Sequence, residues 1–283
     1  MKGGGSLQNE KYKYSYKSEH HAVLSLCVYN VGFEQCNSGF CWGPGVRDHY
    51  LLHHVTSGYG TYSIMGKTYD LAPGDTFLSY PDTVISYRAD MEFPWEYYWV
   101  GFQGSDAPLL LSRTAFSFEN PVIHIDCGER VKSLLLGIYE GRGSRIADEV
   151  RMTSRLYELF SGLIESADSG RGEVPGRENV HRACEYIANN FSRPITVAEV
   201  AEHAEISRSW MYREFQKYVG VSPVQYLIQF RLQQACMLLE NTDLSVKAVS
   251  FSVGFEDPLY FSRAFKKAYG VSPKQYAERT KSR

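Results

Sequence analysis

The last third of the chain repeats one unit of about fifty residues. The heptad "GVSPVQY" at 220–226 returns as "GVSPKQY" at 270–276. The match continues upstream at the same shift, where Met211, Arg213, Phe215 and Lys217 align with Phe261, Arg263, Phe265 and Lys267. With one residue inserted in the second copy, "TVAEVAEHAEIS" at 196–207 aligns with "SVKAVSFSVGFE" at 245–256. A repeat of this length indicates one supersecondary unit used twice.

Each copy has the pattern of two short helices joined by a tight turn. Thr196 and Ser245 can cap the first helix, and Ser207 and Asp257 can cap the second. Apolar side chains at i, i+4 and i+8 give the second helix a core face. These core positions are Met211, Phe215 and Val219 in the first copy, and Phe261, Phe265 and Tyr269 in the second. The pattern predicts two helix-turn-helix units.

The opposite faces of the two second helices are mainly polar and basic. They carry Ser209, Tyr212, Arg213 and Gln216 in the first copy, and Leu259, Ser262, Arg263 and Lys266 in the second. The two arginines suit guanine edges or phosphates, and Lys266 and Lys267 suit phosphates. Residues 175–283 carry 15 Lys and Arg against 11 Asp and Glu, whereas the whole chain has a net charge of −2. We expect double-stranded DNA as a partner; the alternative is a plain helical bundle with solvated arginines.

The repeated heptads mark where helices end and begin. Gly220 and Gly270 suit the left-handed position that ends a helix, and the Ser-Pro after each glycine can start the next helix. After the first heptad, "SPVQYLIQFRLQQACMLLEN" predicts a helix of roughly 17 residues, about 25 Å long. Because neighbouring major-groove faces lie about 34 Å apart, such a connector can place both units on one side of a duplex.

The front of the chain has a different period. Up to about residue 128, short segments rich in Val, Tyr, Phe, Trp and Thr alternate with turn sequences such as "SGYG" and "APGD". This pattern predicts an antiparallel sandwich or barrel. From Glu129 the apolar residues take helical spacing, which predicts two amphipathic helices within 129–166.

We therefore expect an α+β multidomain chain. A flexible N-terminal segment is predicted at 1–20, and a cupin-like antiparallel β-barrel with appended helices at 21–166. The polar segment "SADSGRGEVPGRE" predicts a linker, with bounds 167–177. An all-α DNA-binding domain with two helix-turn-helix units is predicted at 178–283.

Composition favours a soluble cytoplasmic protein. No run of about 18 apolar residues is present to span a membrane, and the polar N-terminus lacks the apolar region of an export signal. The six cysteines have no paired spacing, which favours reduced thiols over a zinc site or a disulfide framework. We expect no cofactor.

The tail resembles the DNA-binding domain of the AraC/XylS family of bacterial transcription regulators. The resemblance covers about 100 residues and rests on "AVSFSVGFEDPLYFSRAFKKAYGVSPKQYAERT" at 248–280. Ala277 and Glu278 depart from the family pattern, in which an arginine usually follows the tyrosine. By position, the resemblance implies DNA contacts from Ser209, Tyr212 and Arg213 in the first unit, and from Pro258, Leu259, Tyr260 and Arg263 in the second. Pro258 and Leu259 offer no hydrogen bonds, so we expect the second helix to read bases less and phosphates more.

The segment "SGYGTYSIMGKTYDLAPGDTFLSYPDTVISYRAD" at 57–90 resembles a cupin barrel. Metal-using cupins have a histidine where this chain has Ile85, and His49, His53 and His54 lack the spacing of a metal triad. We therefore expect these histidines to be surface or core residues. The barrel is expected to bind a ligand and not to catalyse a reaction, with no metal site.

Aromatic residues indicate what the barrel binds. Strand alternation in "DMEFPWEYYWVGFQG" places Trp95, Tyr97 and Trp99 on one face, which suits either a sugar site or a plain aromatic core. The family resemblance favours the sugar, because positions matching Tyr87, Tyr97 and Trp99 contact it in an arabinose-responsive member. Arg47 is the candidate polar anchor.

The resemblance implies a sugar-responsive transcription activator of a carbohydrate uptake or utilisation operon, with α-galactosides as candidate effectors. It also implies a homodimer formed through helices within 129–166, and contact with RNA polymerase. The alternative for these helices is that their apolar stripe packs only on their own barrel. Two alternatives remain at this point: a DNA-binding regulator that needs no ligand, and a metal-dependent cupin enzyme with an accessory domain.

Overall fold

The computed structural model describes residues 11–18, 24–126, 128–170 and 175–281. The chain divides into two compact units: unit 1 holds residues 1–19, 28–102 and 121–159, and unit 2 holds residues 20–27, 103–120 and 160–283. Most of the predicted flexible segment at 1–20 lies outside the described residues, as do residues 171–174 of the predicted linker.

Two antiparallel sheets form unit 1. The strands are β1 Lys13–Lys17, β2 Cys27–Gln35, β3 Cys41–Val46, β4 Tyr50–Ser57, β5 Gly60–Ile64, β6 Lys67–Leu71, β7 Asp75–Ser79, β8 Val84–Ala89, β9 Glu96–Gln103 and β10 Val122–His124. One sheet has the order β1-β2-β9-β4-β7-β10 and the other has the order β3-β8-β5-β6. This architecture confirms the cupin-like antiparallel fold.

Strand alternation separates an inner face from an outer one. In β9, Tyr97 and Trp99 point inward, and the register pairs Trp99 with His53 of β4. Between them Tyr98 points outward, where its ring stacks on Phe33 at 5.1 Å. Successive side chains of a strand lie on opposite faces, so one strand can serve both the barrel interior and the layer outside it.

Two helices follow within the predicted range, and the first of them covers part of the outer face. Helix α2, Gly128–Glu140, buries Val131, Leu134, Leu135 and Ile138. Helix α3 is Ile146–Gly170. Tyr139 of α2 meets Phe33 of β2 edge-on at 5.3 Å, and the Tyr16 hydroxyl of β1 donates to the Gly143 carbonyl. Aromatic packing therefore attaches α2 to the sheet, and a hydrogen bond holds the turn that follows it.

Three elements differ from the sequence prediction. Helix α1, Asp106–Arg113, lies in the stretch expected to be strands. Strand β1 lies within the segment predicted to be flexible, and it pairs with β2 along its whole length. Helix α3 runs to Gly170 and α4 begins at Pro175, so helical residues occupy part of the predicted linker 167–177.

Unit 2 is helical. Besides α1 it contains α4 Pro175–Asn190, α5 Val197–His203, α6 Arg208–Tyr218, α7 Pro223–Asn241, α8 Val246–Ser252, α9 Pro258–Tyr269 and α10 Pro273–Lys281. The pairs α5–α6 and α8–α9 are the two predicted helix-turn-helix units. Helix α1 packs against α4 and α6, where Arg113 donates to Glu178 at 2.6 Å.

The predicted caps are present at the helix starts. The side chains of Thr196, Ser207, Ser245 and Asp257 each accept a hydrogen bond from a backbone N–H in the first turn of their helix. Ser222 forms a reciprocal capping box with Gln225 at the start of α7. Gly220 and Gly270 have φ values of 81° and 76°, the left-handed conformation that the sequence predicts.

Helix α7 belongs to two separate hydrophobic cores. Its first half contributes Tyr226, Leu227 and Phe230 to the core of the first helix-turn-helix unit. Its second half contributes Leu232, Ala235, Cys236 and Leu239 to the core of the second. The helix has 19 residues and is therefore about 28 Å long. It joins the two units as one continuous element, slightly longer than the sequence predicts.

A half-buried arginine fixes the centre of α7. Arg231 donates from Nε to the Phe191 carbonyl and from a terminal nitrogen to the Arg193 carbonyl, both at 2.8 Å. Gly254, in the turn between α8 and α9, has a φ of 86°, and a Cβ there would meet the Phe191 carbonyl oxygen and the Arg231 guanidinium. The turn of the second helix-turn-helix unit therefore requires glycine at position 254, because the backbone is left-handed there and no room is left for a side chain.

We expect Gly254→Ala to lower the free energy of unfolding of the full chain by about 2–4 kcal/mol, since it adds steric overlap to the left-handed penalty. Gly270→Ala is the matched control: its φ is also positive, but no atom lies within 4 Å of the added Cβ. The control should cost only about 1 kcal/mol. Urea denaturation of both variants measures these free energies. Equal losses of unfolding free energy would contradict a steric overlap of the Gly254 position with Phe191 and Arg231.

Candidate functional site

Aromatic rings fill the interior of the unit 1 barrel. Tyr97 meets Trp99 at 5.8 Å and Trp95 at 5.6 Å, and Tyr87 of the facing sheet meets Tyr97 edge-on at 6.2 Å. Four of the five predicted ligand residues therefore lie in one cluster. Their exposed fractions are 7% for Tyr87, 0% for Trp95, 2% for Tyr97 and 9% for Trp99. Because Trp95 has no exposed surface, it can position the neighbouring rings but presents no surface to a ligand.

Arg47, the fifth predicted residue, reaches the same cluster from the end of β3. Its guanidinium lies 3.9 Å from the ring centre of Trp42, and Trp42 stacks on Tyr87 at 5.5 Å. Burial raises the pKa of Tyr87 to about 12, although Arg47 opposes this shift by charge and hydrogen bonding. Tyr87 is therefore a neutral hydroxyl at physiological pH, next to a cation.

A cavity of about 440 Å³ opens beside Arg47. Its lining is mostly polar or charged and consists of Lys17, Tyr29, Asn30, Val46, Arg47, Asp48, His49 and Asp82. His49 stacks on Tyr29 at 3.9 Å and bonds the Asp48 carboxylate at 2.7 Å. The cavity thus offers an aromatic face, an amide and charges of both signs, a combination that suits a polyhydroxylated ligand.

Several buried polar atoms in the cavity lining and in the aromatic cluster have no hydrogen-bond partner. They are Asn30 Oδ1, Arg47 Nε, His53 Nδ1 and Trp95 Nε1, within the part of the chain that the structure describes. Leaving a buried donor or acceptor unpaired costs about 1–3 kcal/mol. A polar ligand that reaches these atoms would recover part of that cost.

A second set of polar groups contacts the aromatic cluster at Tyr97 and Trp99. The Tyr97 hydroxyl donates to the Glu34 carboxylate at 3.2 Å, and Lys13 Nζ binds the same carboxylate at 2.8 Å. Lys13 also lies 5.8 Å from the Trp99 ring centre. Strand β1 therefore brings an exposed cation from the N-terminal region to the edge of the aromatic cluster.

Sequence reasoning missed Trp42, Asn30, Glu34 and Lys13. The register explains Trp42, which pairs with Tyr87 across β3 and β8. Lys13 lay in a segment predicted to be flexible, and Asn30 and Glu34 reach the interior only because β2 places even-numbered residues there. Period-2 alternation in "CVYNVGFEQ" is a signal that could have found these two.

The three neighbouring histidines are all buried, as we expect for core residues. His53 stacks on Phe77 at 4.5 Å, and His54 bonds the Thr76 hydroxyl at 2.9 Å. No group of three or more His, Cys, Asp or Glu among the described residues is placed to hold a metal ion.

In unit 2, the predicted DNA-contacting side chains lie on exposed faces of α6 and α9. Ser209, Tyr212, Arg213, Gln216, Leu259, Tyr260, Arg263, Lys266 and Lys267 are exposed, and Pro258 and Ser262 are half-buried. The core residues Met211, Phe215, Phe261 and Phe265 are fully buried on the opposite faces. Tyr269, predicted as core, keeps 37% exposure while packing against Phe265.

Two of these polar side chains already have partners in their own helix. The Gln216 amide donates to the Gly220 carbonyl at 3.1 Å, and the Ser262 hydroxyl donates to the Pro258 carbonyl at 2.8 Å. Arg213 and Arg263 occupy equivalent positions in the two copies. The two faces therefore share one arginine and differ in the residues around it.

Comparison with known proteins agrees with this division. Residues 28–176 match the model of the AraC-like ligand binding domain, and residues 200–279 match the model of a helix-turn-helix domain. The described helices include none long and apolar enough to cross a membrane.

Three curated relatives align with most of the chain. The Msm operon regulatory protein of Streptococcus mutans is 33% identical, covering 89% of this chain and 92% of the relative. The lactose operon transcription activator of Staphylococcus xylosus is 32% identical, with coverage of 90% and 91%. The raffinose operon transcriptional regulatory protein RafR of Pediococcus pentosaceus is 30% identical, with coverage of 92% and 96%.

We expect acidification to destabilise unit 1. Burial, with smaller contributions from Arg47 and Lys13, lowers the pKa of His53 to about 3, and burial lowers the pKa of His54 to about 4. Below about pH 6.5 the unfolded chain takes up protons that these folded histidines do not. Each histidine therefore contributes stability above pH 6.5 that is lost by about 1.4 kcal/mol per pH unit as the pH falls towards its folded value.

The variant His53→Phe keeps a stacked ring and removes one titrating group. Its free energy of unfolding should fall less steeply than that of the parent between pH 6 and 4.5, by about 1.4 kcal/mol per pH unit. Urea denaturation at several pH values measures both slopes. The difference in free energy of unfolding between the two proteins at pH 8 reports the change in packing alone. Equal slopes of this free energy against pH would contradict a neutral buried His53.

Proposed function

This chain belongs to the AraC family of transcription regulators, and we propose that it activates a carbohydrate uptake or utilisation operon in response to a sugar. The observation that carries the proposal is the cavity beside Arg47, where unpaired polar atoms adjoin stacked aromatic rings. Two helix-turn-helix units in the same chain supply the DNA-binding output.

The relatives support a sugar as the effector. Their names refer to the Msm, lactose and raffinose operons. Raffinose is an α-galactoside, so α-galactosides are the first effectors to test. A sugar presents hydroxyls around a ring whose C–H face is apolar, and it therefore needs both hydrogen-bonding groups and aromatic surfaces.

The barrel has both kinds of group at the proposed site. Tyr29 and Trp42 provide ring surfaces, and Arg47 with Asn30 provides a donor and an acceptor for hydroxyls. Because these groups come from both sheets, a bound sugar would link the sheets through new contacts. Effector binding then shifts the chain between arrangements that differ in DNA affinity or in contact with RNA polymerase.

A catalytic role has less support. The curated relatives are regulators, and a cupin enzyme would need a metal that position 85, an isoleucine, does not help to bind. We propose that the barrel binds its ligand without reacting with it.

Helix α3 supports the proposal of a homodimer. Ile146, Val150 and Tyr157 are 54%, 50% and 38% exposed, and their spacing places them along one side of the helix. An exposed apolar stripe on a long helix is suited to pairing with a second helix of the same kind. We propose that a second copy of the chain covers this stripe.

The effector site predicts that Trp99→Ala abolishes the response to the sugar while basal DNA binding continues, since the substitution removes a ring from the barrel interior. A panel of sugars that includes α-galactosides is first screened by thermal shift, because a ligand that binds only the folded chain raises the melting temperature. The hit is then titrated against the variant. The matched control is Tyr59→Ala, which removes an aromatic ring that is 51% exposed outside the interior.

A normal sugar response in the Trp99 variant would remove this residue from the site. If no sugar stabilises the parent chain while specific DNA binding is observed, the regulator that needs no ligand becomes the better account.

For the dimer, we expect Val150→Asp to convert the chain to monomer in sedimentation velocity, because it places a charge in the centre of the apolar stripe. The control Ser166→Asp adds the same charge at an exposed polar position of α3 that faces away from the stripe, and it should leave the mass unchanged. A Val150 variant that sediments with the same mass as the parent would contradict pairing through this stripe.

A further inference from the structure

The first turn of α9 offers few hydrogen-bond donors. Pro258 has no N–H, the Leu259 N–H donates to the Asp257 carboxylate at 2.8 Å, and the Phe261 N–H donates to the Asp257 carbonyl at 3.0 Å. The Ser262 hydroxyl, one turn on, donates to the Pro258 carbonyl. The donors that a helix start usually presents to DNA are therefore largely engaged within the helix itself.

The most prominent group on this turn is apolar. Leu259 is 73% exposed, a larger fraction than for any other large apolar side chain in the described ranges. On the opposite side of α9, Phe261 and Phe265 are fully buried in the core of the second helix-turn-helix unit. Folding therefore does not need Leu259, and its exposure leaves apolar surface in water.

The arginine of the same face lies directly next to this leucine. Leu259 and Arg263 are four residues apart, so their side chains are neighbours on the helix surface. In the first helix-turn-helix unit, the position equivalent to Leu259 is Ser209, which places an exposed hydroxyl beside Arg213. The two helices thus present different chemistry, apolar and polar, at the same position relative to a shared arginine.

We propose that Leu259 selects a thymine, by packing on its 5-methyl group in the major groove next to the base pair or phosphate that Arg263 contacts. The thymine methyl is the apolar group among the major-groove edges, and apolar side chains discriminate bases by contacting it. This inference rests on the proposed function as a DNA-binding regulator. It differs from the expectation that the second helix reads bases less and phosphates more.

The experiment uses the full chain and an operator selected by it from a random-sequence duplex library. The half-site bound by α9 is identified as the part of the footprint that is lost with Arg263→Ala. Each thymine of that half-site is then replaced by deoxyuridine, which removes the methyl group and keeps base pairing. We expect the affinity of the parent chain to fall about three- to five-fold at one or two positions.

The variant Leu259→Ala should bind the thymine operator more weakly and should no longer distinguish thymine from deoxyuridine at those positions. The matched control Ser209→Ala changes the equivalent residue of α6. It should keep the full discrimination in the α9 half-site, because the methyl contact is unaffected.

Two results would overturn the proposal: a parent chain that is indifferent to deoxyuridine throughout this half-site, or a Leu259 variant that keeps the discrimination. A Leu259 variant that binds both operators like the parent but loses transcription activation in vitro would assign the residue to a protein contact instead. Failure of the library to yield any sequence would refute specific DNA binding itself, and the thymine contact with it.

Discussion

The DNA-binding half of the chain depends on one helix being shared by two hydrophobic cores. Helix α7 packs Phe230 into the first core and Leu232 into the second, only two residues further on. Arg231 lies between them and binds the carbonyls of Phe191 and Arg193. Neither helix-turn-helix unit can rotate freely about α7, because rotation would expose one of the two hydrophobic cores. The separation of α6 and α9 is therefore a property of the fold itself.

Much of this half could be predicted because local chemistry determines it. Ser207 and Asp257 cap helices through contacts within three residues, and Gly270 ends a helix because its backbone adopts a left-handed conformation. Helix α1 and strand β1 were missed for the opposite reason. Helix α1 packs against α4 and α6, and β1 pairs with β2, so each depends on a distant partner more than on its own sequence.

The proposed effector site shows the same limit at the level of single residues. Tyr97 and Trp99 could be placed on one face from strand alternation alone, and the family resemblance added Tyr87. Trp42 and Glu34 enter the site only through the pairing of β3 with β8 and the hydrogen bond from Tyr97 to β2. A single sequence gives the period of each strand, but it does not give the register between strands that face each other.

Separate core faces and proposed DNA-reading faces on α6 and α9 have a consequence for how such a regulator evolves. The core faces consist of fully buried Met and Phe residues, whereas the reading faces are exposed and contribute little to stability. Single substitutions on the reading faces can therefore change which bases the protein prefers, and no intermediate variant needs to be an unstable protein. The distance between half-sites has no such freedom, so operators in a diverging lineage should drift in sequence before they drift in spacing.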